Sequence, residues 1–216
     1  MKPVGLCRCE THQFFDQTCN FCSGVIVANP FQDTFELVRV LYTEQQIADR
    51  VKTLAMAIDN AYQRPEASQL VLLGALTGAY VFLSDLSRAV QTPHTIQFVR
   101  ASSYHGGTDT SGEVKVGSEL KDLQLEGKDV VIVEDILDTG LTYQTLRDEL
   151  RKECRPASIE FCAMLSKPDK LKAKGLDIND KFIGFQLRPP RFVVGYGLDY
   201  RDHFRGLPFI AEAREI

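Results

Sequence analysis

The chain has 216 residues, 44% of them hydrophobic and 25% charged, which suits one globular domain of ordinary size with a modest appendage. A net charge of -4 leaves no electrostatic footprint for DNA or other non-specific nucleic-acid binding, and no apolar run is long enough to span a bilayer. The stretch from Met1 to Cys7 has no signal-peptide core, so a cytoplasmic protein is expected.

The first feature in chain order is a group of cysteines. Of the six in the chain, four are Cys7, Cys9, Cys19 and Cys22. Without an export signal, clustered cysteines read as metal or redox groups before disulfides. Two closely spaced pairs offer four thiolates to a tetrahedral Zn²⁺, with His12 in reserve. The expectation is a structural zinc clip in a Cys-rich appendage over residues 1–30, set against four reduced thiols in an unmetallated arm. The main domain is expected to occupy 31–216. Cys154 and Cys162 lie in or beside core-like segments and read as small buried hydrophobes.

Residues 35–41 alternate and predict a strand. Thr43-Glu44-Gln45-Gln46 is a capping box, followed by Ile47, Val51, Leu54, Ala55 and Ile58 at helical spacing. Residues 70–73 predict a buried strand, 74–78 a turn, 80–90 a helix and 95–99 a third strand. The run 102–112 is rich in Gly, Ser and Thr, and such length without an apolar anchor favours a functional lid. Residues 130–133 form a β-branched apolar run that ends in the adjacent acids Glu134 and Asp135 and suits a strand buried on both faces. A helix is predicted over about 141–152 and a strand over 158–165. Two short strands, 181–187 and 192–198, are split by Arg188-Pro189-Pro190. This alternation predicts an α/β fold, a mostly parallel twisted sheet flanked by helices.

The motif after the run carries the chemistry. Acids at the carboxyl end of a parallel strand sit where open α/β sheets bind ligands. Thr139, Gly140 and Thr142 then bring hydroxyls and free backbone N–H groups to a helix start, which makes an anion site. Carboxylates beside a phosphate cradle suggest a ligand with both hydroxyls and phosphate, with a divalent cation to reconcile the like charges. No Gly-x-x-x-x-Gly-Lys-Ser/Thr loop is present.

The string Val131-Ile132-Val133-Glu134-Asp135-Ile136-Leu137-Asp138-Thr139-Gly140 resembles the signature of the type I phosphoribosyltransferases, which bind phosphoribosyl pyrophosphate (PRPP). It is most like their purine-salvage, hypoxanthine-guanine branch, and the likeness extends over about 35–205. The resemblance implies transfer of the 5-phosphoribosyl group to hypoxanthine or guanine, giving IMP or GMP and pyrophosphate. It implies that Asp138 manages the purine proton near N7, although Asp is also a favoured helix N-cap. It implies that Glu134 and Asp135 hold the ribose hydroxyls, directly or through Mg²⁺, and that Thr139, Gly140, Leu141 (by its N–H) and Thr142 hold the 5′-phosphate. Leu76, Thr77 and Gly78 correspond to the pyrophosphate turn, which in the family often contains a non-proline cis peptide. The family commonly has Lys where this chain has Thr77, so more of the pyrophosphate contact is expected from Arg205.

Further roles are carried over in the same way. Lys167 would face O6 of an oxopurine and reject a 6-amino group, because donor would meet donor. Phe192 would stack on the purine and backbone groups of Val193 and near Asp199 would read its edge, with the Asp199 carboxylate on a second Mg²⁺. Ser103 and Tyr104 would belong to a closing lid. Segments 181–187 and 192–198 resemble the hood over the base, which N- and C-terminal segments are expected to build. The family also suggests homodimers or homotetramers. Two alternatives stay open: a xanthine-preferring relative, and a PRPP-sensing regulator with an RNA or protein partner. Joint retention of Asp138, Lys167 and Phe192 favours turnover.

Overall fold

A computed structural model describes residues 34–63, 69–103, 114–116, 118–175 and 182–216. The expected appendage with Cys7, Cys9, Cys19 and Cys22, and Tyr104 with most of the expected lid, lie outside these residues. The chain divides into two compact units, one of residues 48–190 and one that joins 1–47 to 191–216.

The capping box forms as the sequence predicts. The Thr43 N–H donates to Gln46 Oε1 at 2.9 Å, and the Gln46 N–H donates back to Thr43 Oγ1 at 3.3 Å. Helix α1 (Glu44–Tyr62) starts there, and its Ile47, Val51, Leu54, Ala55 and Ile58 are all buried.

The larger unit is built on a six-stranded sheet. Its strands are β2 (Leu70–Leu76), β3 (His94–Ser103), β4 (Val114–Val116), β5 (Asp129–Leu137), β6 (Ser158–Ser166) and β7 (Ile183–Gln186), in the order β4-β3-β2-β5-β6-β7. All neighbours are parallel except β3 and β4. Between strands run α2 (Tyr80–Ala89), α3 (Leu141–Glu153) and α4 (Pro168–Ala173), with a 3-10 turn over Ser118–Leu123. Leu70 to Leu73 and Val130 to Val133 are completely buried, as central strands covered on both faces must be. One core cluster joins Val71, Leu73 and Ile132 to Leu146 and Leu150 of α3 and to Phe161.

The smaller unit has an antiparallel sheet in the order β1-β9-β8, from β1 (Phe35–Tyr42), β8 (Val193–Val194) and β9 (Ile210–Glu215). Phe35 anchors it, stacked on Tyr200 with ring centroids 3.9 Å apart and packed with Val194 and Ala213.

Four details depart from the sequence reading. Gly74 does not open a turn; it lies inside β2, where a Cβ would come within 2.6 Å of Leu83 Cδ2 and 3.1 Å of Phe98 Cδ1. It is a close-approach glycine rather than a punctuating one. Glu134 and Asp135 do not follow β5 but belong to it, because the ladder to β6 continues to Leu137 opposite Ser166. The strand expected over 181–187 is β7, parallel to β6 in the main sheet, and so no part of the predicted excursion. The six-residue α4 that keeps the alternation going is too short to show a period. Finally, the strand expected over 192–198 is only β8; the chain turns away at Gly195 and Gly197, both with positive φ, and β9 supplies the remaining strand. With Ala211 and Ala213 on its inner face, β9 has little β propensity to announce it.

Candidate active site

Strand β2 leads through α2 to β3 on one side, whereas β5 lies on the other side of β2. Strand order therefore reverses between β2 and β5, and ligands of open α/β sheets bind at such a switch, outside the carboxyl ends. The two turns that leave this point are the one through Leu76, Thr77 and Gly78 and the one through Asp138, Thr139 and Gly140. Both were singled out from sequence. The Leu76–Thr77 peptide is cis.

One contact ties the first of these turns to the end of β5. Asp135 packs directly on the Cα of Gly78: a Cβ there would lie 2.9 Å from Asp135 Oδ1, with Cγ and Oδ2 nearer still. Asp135 Oδ1 also accepts the Ile136 N–H at 2.9 Å, which fixes the carboxylate close to its own backbone. Glu134 is only 6% exposed, and its Oε1 has no hydrogen-bond partner. Burial, and then the neighbouring Asp135 charge, push its carboxyl from 4.5 to about 8. In the free protein this acid holds its proton at neutral pH, and a donor or cation brought to it would release that proton.

Helix α3 begins on Gly140, whose φ of 76° is left-handed backbone that glycine adopts without strain. The Gln144 N–H donates to the Gly140 carbonyl at 3.0 Å. The N–H groups of Leu141, Thr142 and Tyr143 precede the first intrahelical bond and have no partner within the helix. Their dipoles, with the hydroxyls Thr139 and Thr142 bring to the same turn, suit an anion.

Asp138 is not the cap of α3, since Gly140 takes that position. Its carboxylate points instead to two ammonium groups. Lys167 Nζ lies 3.0 Å from Oδ2, and Lys170 Nζ lies 2.8 Å from Oδ1 and 3.2 Å from Oδ2. Burial works to raise the Asp138 pKa, but the hydrogen bonds and charges of Lys170 and Lys167 outweigh it and hold it below the usual carboxylate range. Lys167 follows β6 directly, its N–H bonded to the Leu137 carbonyl at 3.0 Å, and Pro168 starts α4 behind it. Its side chain is 10% exposed, against 45% for that of Lys170. The sequence reading missed Lys170. The signal was present: a lysine three positions after Lys167, with a proline between them to start a helix, shares its face.

In the smaller unit, Phe192 is 49% exposed, and its ring meets Phe35 and Tyr200 edge-on at 6.2 and 6.1 Å. Val193 is buried in β8. Asp199 is engaged twice, by Arg205 at 2.9 Å and by the Asp202 N–H at 2.8 Å. Arg205 also donates to the Gly197 carbonyl at 2.8 Å and to Asp202 at 3.2 Å. It clamps its own loop, so the cation expected to replace the missing family lysine is already committed to three acceptors. Ser103 closes β3, and among the described residues no group of three His, Cys, Asp or Glu side chains gathers into a metal site.

The phosphoribosyl transferase domain family matches residues 39–201. Hypoxanthine phosphoribosyltransferase of Salmonella typhimurium is 39% identical over 175 residues, which cover 81% of this chain and 94% of the relative. Hypoxanthine-guanine phosphoribosyltransferase of Staphylococcus aureus is 42% identical over 177 residues, covering 81% and 93%. Among solved structures, a hypoxanthine-guanine phosphoribosyltransferase from Bacillus anthracis superposes with a TM-score of 0.72 at 37% identity, over 83% of this chain and 99% of its own. The hypoxanthine phosphoribosyl transferase of Trypanosoma cruzi gives a TM-score of 0.71 at 34% identity, over 82% and 92%.

Proposed function

The chain belongs to the phosphoribosyltransferase family, and on that premise we propose that it is a purine-salvage enzyme, joining hypoxanthine or guanine to the ribose of PRPP. The observation that carries this reading is the juxtaposition of a Gly140-started anion site with Asp138 and Lys167 at the sheet's switch point. N9 of the purine attacks C1 of the ribose, the bond from C1 to the pyrophosphate oxygen breaks, and pyrophosphate leaves with the electron pair. Positive charge develops on the ribose and the purine, so fixed negative groups and proton custody do most of the work.

The N-terminal end of α3, with Thr139, Gly140, Leu141 and Thr142, seats the 5′-phosphate. The turn Leu76-Thr77-Gly78 lies beside it for pyrophosphate. Glu134 and Asp135 take the ribose hydroxyls. The orphaned Glu134 Oε1 and the all-oxygen donor set fit a hard cation, and Mg²⁺ characteristically takes one or two carboxylates and completes its shell from substrate phosphates and water. When bound, Mg²⁺ would neutralise charge on the diphosphate. Asp138, ionised by its two lysines, accepts the hydrogen bond from N7–H and takes that proton as the N9–C1 bond forms; its lowered pKa keeps it ready as an acceptor and lets it pass the proton on to solvent. Lys167 donates to O6. We read the smaller unit as the hood: Phe192 gives the base a ring face, Val193 and the backbone near Asp199 read its edge, the Asp199 carboxylate would hold a second Mg²⁺, and Arg205 would have to exchange its loop contacts for pyrophosphate. Ser103 and Tyr104 belong to the lid. Zinc on Cys7, Cys9, Cys19 and Cys22, cytoplasmic location and a homodimer or homotetramer complete the reading.

The experiment is a panel of hypoxanthine, guanine, xanthine and adenine with PRPP and Mg²⁺, following nucleotide formation. IMP and GMP are expected. XMP as the dominant product would move the assignment to a xanthine enzyme, and no nucleotide from any base would reject transfer.

A further inference from the structure

Asp138 needs one cation for neutrality and has two. The proposed chemistry makes the second one intelligible. N7 and O6 are adjacent on one purine edge, so a base that places N7 on Asp138 places O6 where Lys167 must turn to meet it. The Lys167 ammonium, 3.0 Å from Asp138 Oδ2 in the free protein, is then shared with the substrate. The other ammonium, 2.8 Å from Oδ1, has no such second duty. It is fixed by local geometry. The Lys170 N–H donates to the Lys167 carbonyl at 3.0 Å, which closes the first turn of α4 and sets the two side chains on one face. Asp169, between them in sequence, does not compete with Asp138, because it pairs with Arg188 at 3.7 Å.

We propose that Lys170 is a positioning residue for the transfer: it holds the Asp138 carboxylate in place and charge-balanced while Lys167 is engaged by the purine. This rests on the reading of Asp138 and Lys167 given above, and it deepens that reading by separating two lysines that look equivalent in the free protein. Lys167 recognises substrate, whereas Lys170 acts only through Asp138. A pair of such groups removes the conflict that a single lysine would face, which is to neutralise the carboxylate and bind O6 at once.

The test is a kinetic cycle on the full chain with PRPP, Mg²⁺ and hypoxanthine. Lys170→Ala and Lys170→Met are expected to lower kcat roughly 5- to 30-fold, the weight of one charge-assisted hydrogen bond at a half-exposed site, with the KM for PRPP within about two-fold of the parent. Lys170→Arg is expected to restore most of the loss. In an Asp138→Asn background, Lys170→Ala should change kcat by less than about two-fold, because the group it serves is gone. Unchanged kcat in both neutral variants, or the same loss with and without Asp138, would overturn the inference. A parent protein that makes no nucleotide from any purine would overturn the reading beneath it instead. Thermal melting of each variant separates a folding defect from a positioning one, and a loss of kcat explained by a lower Tm would also count against Lys170.

Discussion

Replacing Gly78 by alanine is the sharpest perturbation of the site. The backbone of Gly78 does not have positive φ, so alanine meets no conformational obstacle. The obstacle is Asp135. Ordinary van der Waals contact starts at 3.4 Å, whereas a Cβ on Gly78 would lie 2.9 Å from Oδ1 and closer to Cγ and Oδ2. The carboxylate must withdraw by more than an ångström, which pulls against its bond to the Ile136 N–H at 2.9 Å. A displacement of about 1 Å in a positioned group can cost about 10²-fold, and loss of one charge-assisted hydrogen bond to a ribose hydroxyl gives a similar figure. We therefore expect Gly78→Ala to lower kcat/KM for PRPP by about 30- to 100-fold. The effect on kcat/KM for the purine at saturating PRPP should be much smaller. Steady-state kinetics in each substrate, with a melting curve to confirm folding, are sufficient. A folded Gly78→Ala protein with parental kcat/KM for PRPP would refute the coupling of this turn to Asp135.

Three other outcomes are expected. Asp138→Asn should lower kcat by about 10²- to 10⁴-fold while PRPP binding, followed by titration, stays close to the parent; normal turnover would reject its proton role. Lys167→Ala should erode the preference for hypoxanthine over adenine by about 10-fold or more in kcat/KM, and unchanged selectivity would contradict an O6 contact. Glu134→Gln should flatten the pH dependence of stability in the ligand-free protein. The folded pKa is raised from 4.5 to about 8, so the folded state holds a proton that the unfolded chain gives up. The parent should lose stability as pH rises through that window and level off above it, and the variant should melt higher near pH 9; parallel Tm profiles for the two proteins would exclude a raised Glu134.

The sequence disclosed what depends on neighbours along the chain. The capping box at Thr43 and Gln46, the buried helix face from Ile47 to Ile58 and the completely apolar centres of β2 and β5 are local signals that tertiary packing reinforces. The residues that converge at the site were legible because the acids, the Thr/Gly turn and the helix start occupy one continuous stretch. What escaped was set at a distance. Gly74 reads as a turn until Leu83 and Phe98 are known to press on it. β9 is recognisable only from its ladder with β1 and β8, because alanines on its inner face carry no strand signal. Lys170 is an unremarkable surface lysine until the end of β5 brings Asp138 to within 2.8 Å of it.

On the proposed reading, the electrostatics of the free site divide the work between its acids. Within five residues of chain, the protein keeps one carboxyl neutral by burial, Glu134, and another ionised by two lysines, Asp138. Environments that push two acids in opposite directions assign them different work. With Glu134 uncharged, the empty site avoids the repulsion of adjacent anions, and on the proposed reading ligand binding rather than folding pulls the proton away. Asp138 is anionic beforehand, so in the proposed role it needs no proton movement to receive N7–H. The cost of this arrangement falls on the free protein's stability above neutral pH, where burying Glu134 costs on the order of a few kcal/mol. Substrate relieves that cost, so stabilisation by PRPP with Mg²⁺ should be larger at pH 8 than at pH 6 once the ligand's own ionisation is accounted for. That difference should vanish in Glu134→Gln. Equal stabilisation at the two pH values in the parent would mean that Glu134 does not meet the ligand.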